Sequence, residues 1–308
     1  MKTKKKLRIK TVFNIFLILL VLLCLSSCRS QTSKQIDQAY EYLEKKELAK
    51  GKEILDKLIF SVDTANMDVY DRAYLGLAAI VFGIESSDVK LGVEGYKLAT
   101  KAYKDNPDEC EKMAKQEDYL EDGLSNYQDV MRFLSSSLND LILTDKAVNR
   151  WSVQWTDYFL GERRNVTETL ELRRDGTFKE YATFWIRETE GNYSVRAKAN
   201  IESGGKWEIE DGVITMSYEV KDLVTDIPSE SFKLSLSDAG FFSSNWLEYA
   251  FAGAMSDKQV LSELRKNLHD RAYNTYLNGT STGRVKFNGS NMIFESSSRR
   301  REYIPKQD

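Results

Sequence analysis

The chain has 308 residues, with 44 Lys and Arg against 47 Asp and Glu and a net charge of −3. This balance argues against a nucleic-acid binder that depends on phosphate contacts. With 42% hydrophobic and 30% charged residues, the composition also excludes a largely disordered chain and a protein with many membrane spans. The length allows one large or two ordinary domains.

The start of the chain predicts a secretory signal. Residues Lys2 to Lys10 carry several basic side chains and no acidic one, and Val12 to Leu25 is almost entirely apolar. The apolar run is shorter than the ~20 residues that a spanning helix needs. We therefore expect a signal peptide at 1–27 and a short tether at 28–33. An uncleaved single-span anchor is the alternative, and both place the rest of the chain outside the cytoplasm.

The segment Leu25-Ser26-Ser27-Cys28 resembles the bacterial lipobox, which has an aliphatic residue and two small residues before a cysteine. The resemblance implies that Cys28 is acylated, with palmitate incorporation, and that the chain is cut before it. A lipid-anchored protein of the cell envelope is then expected. Arg29-Ser30-Gln31 lacks the acidic cluster that marks surface export in similar Bacteroidota lipoproteins, so an outer-membrane anchor facing the periplasm is favoured over the cell surface.

The cysteines predict a fold without an internal disulfide bond. Cys24 lies in the segment expected to be removed and Cys28 would be acylated, so Cys110 is the one thiol left and no internal disulfide is expected. Cys110 stands between Glu109 and Glu111, whose negative charges disfavour a thiolate. We therefore expect it to be unreactive.

Residues 34–147 carry apolar side chains at three- and four-residue spacing, as in the stripe Ile36, Ala39, Tyr40 and Leu43, and this spacing predicts helices. The small and apolar positions resemble those of the tetratricopeptide repeat, in two copies: Ala39, Tyr42, Leu48, Gly51, Leu55, Leu58; and Gly83, Gly92, Gly95, Ala99, Ala102, Pro107. The copies lie further apart than the roughly 34 residues of that family. The resemblance implies helical hairpins with a groove for a protein partner; a plain helical bundle is the alternative.

From about Arg150 the apolar pattern changes to period two, which is typical of strands with one buried face. Leu170 and Leu172 alternate with charged residues before a tight turn at Asp175-Gly176. Later runs, separated by turns such as Asp211-Gly212 and interrupted at Gly204-Gly205, bring the total to roughly eight to ten strands.

An antiparallel meander of this size tends to close, because closure removes exposed edges. We expect a small up-and-down barrel at 150–305 with a helical insertion at 245–277. Arg150-Trp151, the turn from Arg174 to Phe178 and Gly205-Lys206-Trp207 resemble the lipocalin-like domains of many Bacteroidota lipoproteins. The expected fold is therefore α+β and multidomain, with a tetratricopeptide-like helical domain before a lipocalin-like barrel.

A barrel of about eight strands is either filled by side chains or has room for one small ligand. Candidate lining residues are Trp151, Trp155, Phe178, Phe184, Trp185, Trp207 and Tyr218. The sequence leaves both arrangements open.

Few residues suggest chemistry. His269 is the single histidine, which excludes a multi-histidine metal cluster, and no glycine-rich phosphate loop opens a helix. Carboxylates are numerous, but no pair stands out. Arg299-Arg300-Arg301 is expected to be a solvated strand end, with a phosphate headgroup or an acidic partner as the alternative.

We therefore expect a non-catalytic binding module that needs no metal or cofactor. Its partners would be the membrane, through the lipid anchor, a small apolar ligand in the barrel, and a protein on the helical domain, but no nucleic acid. The alternative is a purely structural or scaffolding envelope lipoprotein with a side-chain-filled barrel.

Overall fold

A computed structural model describes residues 30–120, 123–190, 193–236, 256–277 and 279–306. The expected signal peptide, Cys28 and the first part of the helical insertion, 245–255, lie outside the described residues. The chain divides into a helical unit, Met1–Ile142, and a barrel unit, Leu143–Asp308. This division confirms the expected α+β architecture.

Several helices precede the barrel strands. The described ones are α1 (Gln31–Glu44), α2 (Leu48–Ser61), α3 (Val69–Glu85), α4 (Val89–Asp105), α5 (Pro107–Gln116) and α6 (Tyr127–Ala147). The last turn of α6, from Leu143, belongs to the barrel unit. Asn106 caps α5 and Pro107 occupies its first turn, where its missing N–H costs nothing.

Helix α1 begins at Gln31, inside the range expected as a tether. Ser30 caps it by accepting a hydrogen bond from the backbone N–H of Ser33 at 3.0 Å. The hydroxyls of Ser30 and Ser33 both donate to Oδ1 of Asp71 on α3, each at 2.7 Å. Asp71 is buried, so these bonds tie the start of the first helix to the core of the helical unit.

The helices α3 and α4 form a tight antiparallel hairpin. A Cβ atom at Gly83 would lie 2.5 Å from the backbone nitrogen of Gly92, and one at Gly76 would lie 2.6 Å from that of Ala99. Glycine is therefore required where the two backbones approach. This confirms that the chain forms helical hairpins here, while membership of the repeat family stays a prediction.

The barrel unit contains ten strands in the described residues: β1 (Asn149–Phe159), β2 (Glu162–Leu172), β3 (Thr177–Glu190), β4 (Tyr193–Glu210), β5 (Val213–Tyr218), β6 (Val224–Asp226), β7 (Lys233–Leu236), β8 (Thr280–Asn288), β9 (Asn291–Glu295) and β10 (Arg300–Pro305). Eight of them close in the order β3-β2-β1-β10-β9-β8-β5-β4, because β4 pairs back with β3. All pairings are antiparallel. The short strands β6 and β7 pair with β4 outside this ring. Short 3-10 turns lie at Thr64–Asn66, Val220–Asp222 and Ser229–Ser231.

The strands β1 to β4 extend beyond the closed part of the barrel. Strand β4 pairs with β3 over Tyr193–Lys206, but with β5 only from Gly205 onward. Strand β1 pairs with β10 only at Trp151 and Ser152. The ring is thus complete at one end, while the other end is a curved sheet of long strands.

Helix α7 (Asp257–Tyr276) packs against the inner face of this curved sheet. Its buried side chains are Val260, Leu261, Leu264, Leu268, Ala272 and Tyr276. They share one core cluster with inward-facing residues of β2, β3 and β4: Val166, Ala182, Phe184, Ile186, Val195, Ala197, Ala199 and Ile201. Helix α7 therefore covers the open end of the barrel with apolar side chains.

Candidate functional site

Charged residues interrupt the apolar pattern of the barrel interior, and three of them, Glu168, Glu180 and Arg301, interact with one another. Inward positions alternate along each strand, so Glu168 shares its face of β2 with Val166 and Leu170, and Glu180 occupies an equivalent place on β3. Glu168 is 2% exposed and Glu180 7%. Arg301 enters from β10 with a side chain that is 16% exposed. Buried charges need partners, and these three lie in one polar layer between the two apolar ends.

The Glu168 carboxylate has several donors. Its Oε2 accepts from Nη1 of Arg301 and from Nε1 of Trp155, both at 2.8 Å, and its Oε1 accepts from the hydroxyl of Tyr303 at 2.5 Å. The guanidinium of Arg301 also lies over the Trp155 ring, 3.9 Å from its centroid. The negative charge is therefore paired and hydrogen-bonded.

Glu180 makes no ion pair within 4.0 Å among the described residues, although the charge of Arg301 acts on it. It accepts a hydrogen bond from the hydroxyl of Tyr218 at 2.7 Å and is also hydrogen-bonded to Tyr276. Burial raises the pKa of Glu180 to about 8, and the nearby charge of Glu168 adds to the rise. This upward shift of the pKa favours the neutral, protonated form of the buried Glu180 carboxyl group. Burial also raises the pKa of the Tyr218, Tyr276 and Tyr303 hydroxyls well above the usual value, so they remain neutral donors.

A pocket of about 40 Å³ lies where helix α7 meets β2 and β3. Its apolar walls are Leu160, Phe184, Ile186, Leu264 and Leu268. A pocket this small holds about one water-sized group or the end of a larger molecule; whole drug-sized ligands occupy about 300–1,000 Å³. The pocket is partly open, so a bound molecule can extend out of it.

The polar lining of the pocket is cationic. Arg164, only 9% exposed, donates from Nη2 to Glu162, and its guanidinium lies 5.0 Å from the centroid of the Phe184 ring. Arg271 of α7 donates from Nη1 to the other oxygen of Glu162 at 2.7 Å. Asn267 also lines the pocket. Among the residues that the structure describes, none accepts a hydrogen bond from the buried Nε of Arg164.

The aromatic residues expected to line a ligand cavity fall into four places. Trp151, Phe178 and Trp207 pack together in the core at the complete end of the barrel. Trp155 and Tyr218 lie in the middle and belong to the polar layer.

Trp185 is on the outer face of β3. It is 43% exposed, and the guanidinium of Arg196 lies 4.5 Å from its ring centroid. Its neighbours Phe184 and Ile186 take the inward positions, and alternation then turns Trp185 outward. Phe184 is the expected aromatic residue that lines the pocket.

The polar layer is not predicted from the sequence. Arg301 was expected at a solvated strand end, but β10 alternates: Arg300 points outward with a side chain 65% exposed, whereas Arg301 points inward with Tyr303. The polar layer could have been found from the positions of the charged residues, because they stand at alternate strand positions that point inward. Glu168, Glu180 and Arg301 all occupy positions that the pattern reserves for apolar residues.

Other candidates carry little chemistry. His269 is exposed on α7, with Nδ1 3.3 Å from the hydroxyl oxygen of Thr225. Within the described ranges, no three His, Cys, Asp or Glu side chains are grouped as metal ligands. The described helices also include none that is both long and apolar enough to cross a membrane. Cys110 is fully buried, and this burial raises its pKa to about 12.

Comparison with models of protein families finds no match to the chain, and a search of curated proteins finds no significant relative. The resemblances to lipoproteins, to tetratricopeptide repeats and to lipocalin-like domains therefore stay predictions.

Proposed function

We propose that this chain is a lipid-anchored protein of the bacterial cell envelope, and that its barrel unit is a non-catalytic binding module. The supporting observation is the partly open pocket between α7 and the inner face of β2 and β3, with its wall of buried apolar side chains. A concave apolar surface with a few polar groups is the usual form of a small-molecule site. The ligand would enter at the helix-covered end, because aromatic residues fill the other.

The lipid anchor is supported by the lipobox-like segment Leu25-Ser26-Ser27-Cys28 after a basic and then apolar start. An outer-membrane anchor facing the periplasm is favoured, with the cell surface as the alternative. The helical unit would make the protein contacts, since it exposes large apolar side chains at Phe60, Tyr96 and Phe133.

A second candidate is a scaffolding lipoprotein without a ligand. Trp151, Phe178 and Trp207 favour it, because their side chains occupy the interior of the complete end of the barrel. The indole N–H groups of Trp151 and Trp207 donate to backbone carbonyls, so these buried polar groups have partners within the protein and need none from a ligand.

Metabolic labelling with palmitate tests the anchor. Cys28→Ala should abolish incorporation and leave an uncleaved precursor, whereas the matched variant Cys24→Ala should be labelled and cleaved normally. Undiminished labelling of Cys28→Ala would contradict the anchor.

Methyl NMR tests the binding module. The chain from residue 28 to 308 with C28S carries both units and no acyl group. Titration with 1-octanol or octanoate should shift the methyl signals of Ile186, Leu264 and Leu268, while those of Leu55 and Leu58 in the helical unit stay fixed. If neither probe moves the three pocket residues, the scaffolding alternative replaces the binding module.

A further inference from the structure

One residue that lines the pocket is a buried cation whose hydrogen bonds are incomplete within the described residues. The side chain of Arg164 is 7% exposed and lines the pocket. Its Nη2 is occupied by Glu162 and its Nη1 is 3.5 Å from the carbonyl oxygen of Trp185. Within the described part of the chain, its Nε has no acceptor. A buried donor without an acceptor is costly and is found in few places in folded proteins, so the guanidinium of Arg164 is a cation that can still gain from a ligand at its pocket-lining side.

The charges at the pocket leave an excess of one positive charge. Two guanidinium groups, those of Arg164 and Arg271, share the single carboxylate of Glu162. The third polar residue of the lining, Asn267, is uncharged, and the lining contains no acidic residue. One additional negative charge in the pocket would balance the site.

The charge and the apolar walls of the pocket define the chemical class of the ligand. The excess of one positive charge fits a carboxylate better than a phosphate, which is bulkier and carries up to two negative charges. Guanidinium groups pair with carboxylates in a planar geometry. Leu264 and Leu268 lie beside the cations on the same pocket surface, so the group attached to the acid must be apolar.

We propose that the pocket binds the acid end of a small amphipathic carboxylate, with Arg164 and Arg271 holding the acid group and the apolar walls holding the adjoining carbons. This inference rests on the proposed binding function and names its ligand class. Arg164 acts as the specificity-determining residue, because its buried positive charge attracts an acid group but not an alkyl chain.

Three probes separate the contributions of charge and apolar surface. Octanoate, 1-octanol and acetate are titrated near neutral pH into residues 28–308 carrying C28S, and the methyl signals of Leu264 and Leu268 are followed together with the Nε–Hε signal of Arg164. Octanoate should bind at least about tenfold more tightly than either other probe, since it alone combines the acid with the chain. The Nε–Hε signal should move with octanoate and acetate but not with 1-octanol.

Two matched variants test whether Arg164 is the cation that holds the acid group of the ligand. Arg164→Gln should reduce the affinity for octanoate to that for 1-octanol. Arg163→Gln removes the same charge from the exposed neighbouring position and should leave binding unchanged. Equal affinities of the unsubstituted pocket for octanoate and 1-octanol would overturn the inference but leave the binding module standing. Equal affinities for octanoate and acetate would overturn the amphipathic class. These two comparisons need no arginine variant, so they remain decisive if Arg164→Gln fails to fold.

Discussion

Arg301 on β10 and Trp155 on β1 share one acceptor, Oε2 of Glu168, each at 2.8 Å, and the guanidinium lies over the indole ring. The two strands have backbone pairs only at Trp151 and Ser152. Beyond the last pair, side chains therefore connect β10 to β1 and β2. The interior ion pair completes the barrel wall where the backbone ladder has ended.

Removing Arg301 should destabilise the barrel unit strongly. Arg301→Met leaves the carboxylate of Glu168 buried without its counter-charge, which costs about 3–5 kcal/mol in the free energy of unfolding. Urea denaturation measures it. The neighbouring Arg300→Met removes an exposed guanidinium and should cost no more than about 0.5 kcal/mol.

The pair should also show coupling. Glu168→Gln removes the charge that Arg301 neutralises, so the double variant should be at least about 1 kcal/mol more stable than the sum of the two single changes predicts. Additive effects would mean that Arg301 contributes by packing on Trp155 and not by its charge.

Glu180 should make stability fall as the pH rises. Its pKa is about 8 in the folded barrel against 4.5 for the free side chain, so the folded state keeps a proton that the unfolded chain loses. The stabilisation is fully present below about pH 4.5 and is lost as the pH rises through about 8, with a slope of at most ~1.4 kcal/mol per pH unit.

Glu180→Gln should flatten this dependence, as measured by urea denaturation across that pH range. Glu208→Gln, on an exposed position of β4, should keep the slope of the unsubstituted chain. An unchanged slope in Glu180→Gln would show that Glu180 is ionised in the folded state.

Local rules predict much of the barrel. Period-two alternation places Leu170 and Leu172 inward, and the expected Asp211-Gly212 turn has both residues at positive φ. The sequence does not predict the continuity of β4. Gly204-Gly205 looks like an interruption, yet a Cβ at Gly205 would lie 2.0 Å from the carbonyl oxygen of Ser217. Glycine there permits a close approach of the next strand, and that neighbour is known only once the sheet is assembled.

The candidate site was harder to predict for the same reason. Arg301 and Glu168 are 133 residues apart in the chain and meet because the barrel closes through β10. The alternation along each strand identifies both residues as inward-facing charges. Predicting that they pair also requires the order of the strands in the barrel. The pocket likewise depends on where α7 packs, because Arg164 and Arg271 meet only through Glu162.

The α3–α4 hairpin should respond differently to two matched substitutions. Gly83→Ala places its Cβ 2.5 Å from the backbone nitrogen of Gly92, so a helix must move. Gly92→Ala meets chiefly the end of the Leu138 side chain, which can rotate away. Both changes gain the same helix propensity, so Gly83→Ala should be about 1–3 kcal/mol less stable than Gly92→Ala. Urea unfolding followed by circular dichroism measures the difference. Equal stabilities would mean that α3 and α4 can move apart to accommodate a methyl group at Gly83 at little cost.

Cys110 should resist alkylation. Burial raises its pKa to about 12 and Glu111 adds to the rise, so the thiolate is scarce. In residues 28–308 with C28S, iodoacetamide should label it on the order of 100-fold more slowly than in urea. A C110S/N139C variant, with its thiol at an exposed position of α6, supplies the reference rate. Labelling of Cys110 at that rate in the folded chain would show that the helical unit opens readily.

The bonds from Ser30 and Ser33 to Asp71 fix the start of α1 to the core of the helical unit. If Cys28 carries the proposed lipid, two chain links separate it from Ser30, a reach of at most ~7 Å. This connection between Cys28 and Ser30 is shorter than the diameter of one helix, about 10 Å. With that lipid in place, the helical unit would stay beside the headgroups, and any protein partner of the unit would have to reach the bilayer surface to meet it.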